Sequence, residues 1–123
     1  MIRKLDKTID FKMEIDGKTV ADLVARGTLD KNRLVFSDGQ GQTYHLQFSP
    51  EEICLLRTGE EELVLLFRPE TQSGGILRSG ELEFEMNVYT RKIEIYPSKM
   101  VLEYDLLNGN EPAARHFMTA EWQ

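Results

Sequence analysis

The sequence predicts an all-β protein whose antiparallel strands form a barrel or a sandwich. Apolar and polar residues alternate with a period of two along most of the chain. Turn residues recur roughly every 8–12 positions, and no 11-residue window keeps a helical period. Together these observations indicate about eight to ten short strands in one antiparallel sheet system.

Length and composition limit the alternatives. The 123 residues suit a single domain spanning residues 1–123, and 41% hydrophobic residues supply a core. A net charge of −6 disfavours binding to duplex nucleic acid. The longest apolar run, residues 63–67, is far shorter than the ~20 residues of a membrane helix. No apolar stretch follows Arg3-Lys4, and Cys54 is the single cysteine, so we expect a cytoplasmic protein with no membrane contact.

The first half of the chain contains six predicted strands separated by polar or glycine-containing turns. Asp16-Gly17 is typical of a hairpin turn, and residues 30–32, 38–41 and 59–61 have turn composition. The strands predicted by the alternation are 9–15, 21–29, 34–36, 44–48, 53–58 and 63–68.

The second half contains the clearest strand. Residues 69–75 have no apolar side chain and are predicted to be the main flexible loop. Gly80 then precedes a strong alternation whose parity changes before Ile93, which predicts a β-bulge between residues 89 and 92. The later elements are a turn at 96–99, a strand at 100–106, a hairpin turn at Asn108-Gly109 and a strand at 116–122.

One segment admits a helix as an alternative. Ser49-Pro50-Glu51-Glu52 has a capping serine, a proline at the first helical position and a glutamate at the third. Gly59 would end such a helix. The alternation of residues 53–58 favours a strand instead.

Residues 27–90 resemble the YwiB-like family of small bacterial proteins, which is classed as a domain of unknown function. The matching features are Gly27, the Arg57-Thr58-Gly59 turn and the long strand that begins at Gly80 and reaches Thr90. The order of predicted strands also matches over nearly the whole chain. The resemblance implies a calycin-like (lipocalin-like) β-barrel and brings no catalytic residues.

No constellation in the sequence supports catalysis, a metal or a cofactor. His45, His116 and Cys54 are on separate predicted strands without ligand spacing, and we expect two half-exposed histidines and a buried, inert thiol. The glutamates at 81, 83 and 85 alternate with core residues, so we expect them in water, pairing with Arg91 and Lys92. No Gly-x-Ser-x-Gly or phosphate-loop motif occurs.

Strand parity indicates two candidate sites. Phe84, Met86 and Tyr104 belong to the predicted inward set, and Arg57 shares the parity of Ile53 and Leu55. We expect these four residues to form a ligand site in the barrel mouth, with Arg57 orienting an acidic end. The alternative for Arg57 is a strand-end side chain that extends into water.

The second candidate is the outer face of the 53–68 hairpin, where the side chains opposite the predicted core set are also apolar. A barrel wall needs only one apolar face, so a homodimer or another segment such as the N-terminal strand must cover the second. The residues of this predicted interface are Cys54, Leu56, Val64 and Leu66.

These observations favour non-catalytic binding of a small apolar or acidic molecule. The alternative is a structural or protein-interaction module that has a filled barrel and self-associates through the 53–68 hairpin.

Overall fold

The computed structural model describes residues 5–123; the Arg3-Lys4 pair, after which the sequence has no apolar stretch, lies outside them. The described residues form ten strands and no helix. The strands are β1 (Leu5–Ile15), β2 (Lys18–Asp30), β3 (Arg33–Ser37), β4 (Thr43–Ser49), β5 (Glu52–Thr58), β6 (Glu61–Phe67), β7 (Gln72–Ser79), β8 (Leu82–Tyr96), β9 (Lys99–Asn108) and β10 (Glu111–Trp122).

The ten strands close into one antiparallel barrel. Each strand pairs with its neighbours in sequence, and β1 also pairs with β10. At the seam, Thr8 and Gln123 exchange two backbone hydrogen bonds, with N–O distances of 3.3 and 3.0 Å. The prediction of an all-β antiparallel barrel is therefore confirmed, and the closed form is consistent with a calycin-like fold.

The turns divide the barrel into two ends. We call one end the upper mouth; it carries the turns at 16–17, 38–42, 59–60, 80–81 and 109–110. The opposite end carries the remaining four turns. The Gly80 turn needs a positive φ of 62°, which glycine adopts without the Cβ clash that other residues meet.

Bulky side chains fill most of the barrel interior. Phe11, Phe36 and Tyr44 form a cluster with ring centroids 5.1 Å apart, and Phe48 packs on Trp122 at 5.5 Å. These pairs combine apolar burial with favourable aromatic geometry. The fully buried side chains include Ile9, Phe11, Leu34, Leu46, Ile53, Phe67, Met100, Leu102 and Met118.

The expected flexible loop is partly wrong. Residues 72–75 belong to β7, where Ser73 pairs with Val88 and Gly75 with Met86. Strand pairing uses backbone groups, so this segment joins the sheet without an apolar alternation. Gly75 is required there because a Cβ at this position would overlap the carbonyl group of Val64.

Two local alternatives are decided by strand pairing. The predicted bulge is confirmed, because the register between β8 and β9 shifts between Thr90 and Lys92. The helix alternative at residues 49–52 is wrong. Glu52 starts β5, and Ile53 lies opposite both Phe48 and Phe67, so a continuous ladder supports this strand on both sides.

Candidate functional site

Arg57 lies on the inner face of the barrel at the upper mouth. It is directly opposite Tyr44 on β4 and Leu63 on β6, and both neighbours pack with the core. Directly opposed residues in a sheet project to the same face, so the inward orientation expected from parity is supported. Within residues 5–123, no carboxylate lies within 4.0 Å of the Arg57 guanidinium.

The positive charge of Arg57 acts on two tyrosines. Burial raises the pKa of Tyr44, and the charge of Arg57 partly offsets that rise. The same two influences act on Tyr104, whose pKa burial raises strongly. Since Tyr104 belongs to β9, across the barrel from β5, the charge of Arg57 reaches into the interior.

A cavity of about 520 Å³ opens beside Arg57. One wall is the 38–42 loop, in which Oδ1 of Asp38 accepts hydrogen bonds from the backbone N–H groups of Gln40 (2.7 Å) and Gln42 (3.2 Å). The cavity is also lined by Ser79 and by the exposed residues Glu60 and Glu61. The volume is within the range of about 300–1,000 Å³ typical of small-molecule sites.

Apolar side chains extend from this cavity along the rim. Phe84 is in the same ladder row as Arg57, three strands further on, with Leu63 and Leu77 between them. Phe84 belongs to the predicted inward set, but it is 48% exposed and Leu82 is 63% exposed. The reason is that β8 pairs with β9 only from Val88 onward, so the β7–β8 hairpin extends beyond the barrel wall.

Met86 lies between this rim and the core. It pairs with Gly75 on β7, is partly buried and packs against the core cluster. The missing side chain at Gly75 leaves room for the Leu65 side chain on the inner face. Met86 therefore joins the exposed rim at Phe84 to the buried interior.

Tyr104 forms the buried end of the candidate site. Its side chain is 4% exposed and packs on Phe67 and His116, with ring centroids 4.6 and 4.7 Å away. Thr90 and His116 lie opposite Tyr104 on its two sides. Thr90 Oγ1 and His116 Nδ1 are buried and have no hydrogen-bond partner among the described residues. The interior near Arg57 therefore contains polar groups as well as apolar ones.

The predicted interface residues are together on the outer face. Leu56 pairs with Val64, and Cys54 pairs with Leu66. Ile76 on β7 continues the row beyond Val64. We call these five half-buried residues the outer apolar patch. The alternative expectation, that the N-terminal strand covers this face, is wrong for residues 5–15. These residues form β1, which lies in the barrel wall between β10 and β2.

Both histidines are half-exposed, as expected, whereas Cys54, which was expected to be buried, is only half-buried. His116 faces the interior, and burial lowers its pKa. His45 is on the outer face, where its Nδ1 lies 3.2 Å from Nη2 of Arg33. Cys54 is half-buried on the outer face. Burial raises the pKa of its thiol, and the negative charge of Glu52 adds a smaller rise. Residues 5–123 contain no group of three or more potential metal ligands.

Sequence reasoning missed an ion-pair cluster around Asp105. This outer-face carboxylate is 2% exposed, and its two oxygens accept hydrogen bonds from Nε of Arg91 (2.7 Å) and Nε of Arg115 (3.2 Å). The expected pairing of Arg91 and Lys92 with the glutamates at 81–85 is wrong, since Arg91 bonds Asp105 and Lys92 bonds Glu94. No pattern in the sequence signals that three strands meet here.

Comparisons with known proteins support the fold and assign no activity. The family model described as "Domain of unknown function (DUF1934)" matches residues 7–119. The crystal structure of the ywiB protein from Bacillus subtilis is similar, with a TM-score of 0.73, 17% identity and coverage of 99% of this chain and 94% of that chain. The resemblance noted in the sequence is thereby confirmed. No curated protein matches.

Residues 5–123 contain no helix that is long enough and apolar enough to cross a membrane.

Proposed function

The chain belongs to the DUF1934 family, and we propose that it is a non-catalytic cytoplasmic binding protein whose upper mouth takes a small molecule with an apolar body and an acidic end. One observation carries this proposal. Arg57 faces the interior beside a cavity of about 520 Å³ without a carboxylate within 4.0 Å in the described part of the chain. An arginine held in this way is suited to a ligand carboxylate or a similar anion.

The apolar body of the ligand would lie against the rim. Phe84 and Leu82 expose large apolar side chains on the inward-facing side of the β7–β8 hairpin. Covering them would remove apolar surface from water, which contributes roughly 25 cal/mol per Å². Because Met86 continues this surface inward, the apolar body of the ligand would lie along β8, and its acidic end would bind Arg57.

The filled interior below the upper mouth limits the ligand to a small molecule. Tyr104, Phe67 and the Phe11–Phe36–Tyr44 cluster occupy the interior below the mouth. Glu60 and Glu61 line the cavity with Arg57, but both are exposed, so water and salt screen their repulsion of an anion.

Native mass spectrometry of the freshly purified protein is the first test. Extra mass released on denaturation would identify a retained ligand. The second test uses two fluorescent probes that differ by one sulfonate, 8-anilinonaphthalene-1-sulfonate and N-phenyl-1-naphthylamine. We expect the wild type to bind the sulfonate probe about tenfold more tightly than the uncharged probe. This difference corresponds to the contribution of one hydrogen bond to a charged group.

Arg57→Met is expected to erase that preference while binding of the uncharged probe persists. Arg68→Met is the matched control, because Arg68 lies outside the cavity and pairs with Glu52. Equal probe preference in the wild type and Arg57→Met would overturn the role of Arg57. Failure of both probes to bind at a one-to-one ratio would overturn the binding function.

Self-association is the second candidate function, and the outer apolar patch favours it. Four residues predicted from parity alone are contiguous there, and Ile76 enlarges the patch. Replacing both Leu56 and Val64 with lysine should dissociate the assembly, as measured by sedimentation velocity. A folded variant with unchanged oligomer size would overturn this candidate.

A further inference from the structure

The outer apolar patch has charged flanks of opposite sign. Its central row runs across the outer face of the barrel from His45 through Leu56, Val64 and Ile76 to Glu85. At roughly 4.8 Å per strand, the five strands of this row span about 19 Å. The row is therefore an apolar centre with a different polar group at each end.

One end of the row is basic. Arg33 on β3 places its guanidinium 3.2 Å from Nδ1 of His45 and has no ion pair within 4.0 Å in the described residues. Arg26 on β2 is also exposed on this side, and the same strand carries two carboxylates, Asp22 and Asp30, each four residues from Arg26. Burial, with the charge of Arg33, lowers the pKa of His45, so the neutral ring can accept a hydrogen bond from Arg33.

The other end is acidic. Arg78 bonds both Glu62 (3.1 Å) and Glu83 (3.2 Å), so two carboxylates share one guanidinium. Glu85 adds a third carboxylate and has no ion-pair partner within 4.0 Å among residues 5–123. This flank therefore carries excess negative charge next to the apolar residues.

We propose that the outer apolar patch docks on a second copy of this chain, with a two-fold axis running along β6 through Val64, so that the Arg33–His45 end of each copy faces Glu85 of the other. The inference rests on the self-association candidate and adds its geometry. A two-fold axis parallel to the strands exchanges the two ends of the row and places opposite charges together. It also places Leu56 of each copy over Ile76 of the other. A two-fold axis along the row would instead bring like charges together.

The proposed arrangement assigns different roles to the centre and the flanks. The apolar centre excludes water and contributes most of the affinity. The flanks fix the relative orientation of the copies and increase the association rate. Exchanging the charges at the two ends should therefore preserve the dimer, whereas changing one end should weaken it.

The test is a charge-exchange series measured by analytical ultracentrifugation of the full chain. Arg33→Glu and Glu85→Arg are each expected to raise the dimer dissociation constant at least tenfold. The variant carrying both changes is expected to return within about threefold of the wild type, because each new pair is again of opposite sign. Lys12→Glu is the matched control, since Lys12 is exposed on β1, five strands from β6.

The outcomes separate self-association from the orientation of the two copies. A wild type that stays monomeric at every accessible concentration overturns self-association itself. A wild-type dimer that the single changes leave intact overturns the proposed orientation only. Single changes that weaken the dimer without recovery in the double variant also overturn that orientation.

Discussion

The Nε atom of Arg91 donates a 2.7 Å hydrogen bond to Oδ2 of Asp105, and this contact anchors the β-bulge of β8. Arg91 is the extra residue at the register shift between Thr90 and Lys92. Arg115 on β10 binds the other carboxylate oxygen, so one buried aspartate joins three adjacent strands on the outer face.

Replacing Asp105 with asparagine should lower the free energy of unfolding by about 2–3 kcal/mol, because two guanidiniums lose their shared carboxylate. The cost should be below that of a fully enclosed pair, since the Arg91 and Arg115 side chains are 38% and 52% exposed and stay hydrated. Urea unfolding measures the change. Glu83→Gln is the control: it removes an exposed partner of Arg78 and should leave the free energy of unfolding nearly unchanged. Equal effects of the two substitutions would contradict this account.

Replacing Gly75 with alanine should destabilise the protein by about 1–3 kcal/mol or more, because the new Cβ would overlap the Val64 carbonyl and push Leu65. Gly74→Ala is a close comparison: its Cβ would lie 3.1 Å from the Met86 carbonyl oxygen, a gap that a small shift relieves. Thermal unfolding followed by circular dichroism should rank Gly75→Ala clearly below Gly74→Ala. A reversed order would mean that β6 and β7 adjust more easily than their pairing suggests.

His116 should make stability depend on pH near neutrality. Burial lowers its pKa below the usual 6.5, against the opposing influence of the Ala114 backbone and the charges of Asp16 and Asp105. As pH falls through 6.5, the unfolded chain takes up a proton that the folded imidazole resists, so the free energy of unfolding decreases. His116→Phe keeps a ring against Tyr104 and should reduce the loss of stability between pH 7.5 and 5.5, measured by urea unfolding at both values. An identical loss in the variant would exclude His116 as its source.

Parity predicted which side chains face inward more reliably than how deeply they are buried. The two faces of the 53–68 hairpin and the inward direction of Arg57 follow from a period of two. Phe84 has the expected parity but is half exposed, because its burial depends on where β9 ends. The relative lengths of neighbouring strands are a property of the closed barrel that local alternation does not carry.

Two other features depended on partners distant in sequence. The start of β7 has no apolar alternation, and its place in the sheet comes from backbone pairing with β8. Asp105 takes its role from the arginines of β8 and β10 that bond its two oxygens. A single sequence shows each of these residues as an ordinary polar position, since the geometry that gives it a role is tertiary.

The seam between β1 and β10 has a consequence for the order of folding. Residues 9–15 pair with residues 116–122, so the ring of strands closes only after about a hundred residues of intervening chain are in place. The other strand pairs are formed by strands that are neighbours in sequence, so they can form one hairpin at a time. Contacts between residues so distant in sequence slow folding, so we expect the seam to be the latest step and folding to fall in the millisecond-to-second range of β-rich proteins. During synthesis, both edges of the growing sheet stay open until β10 has emerged, and in that interval the chain is most exposed to pairing with other chains.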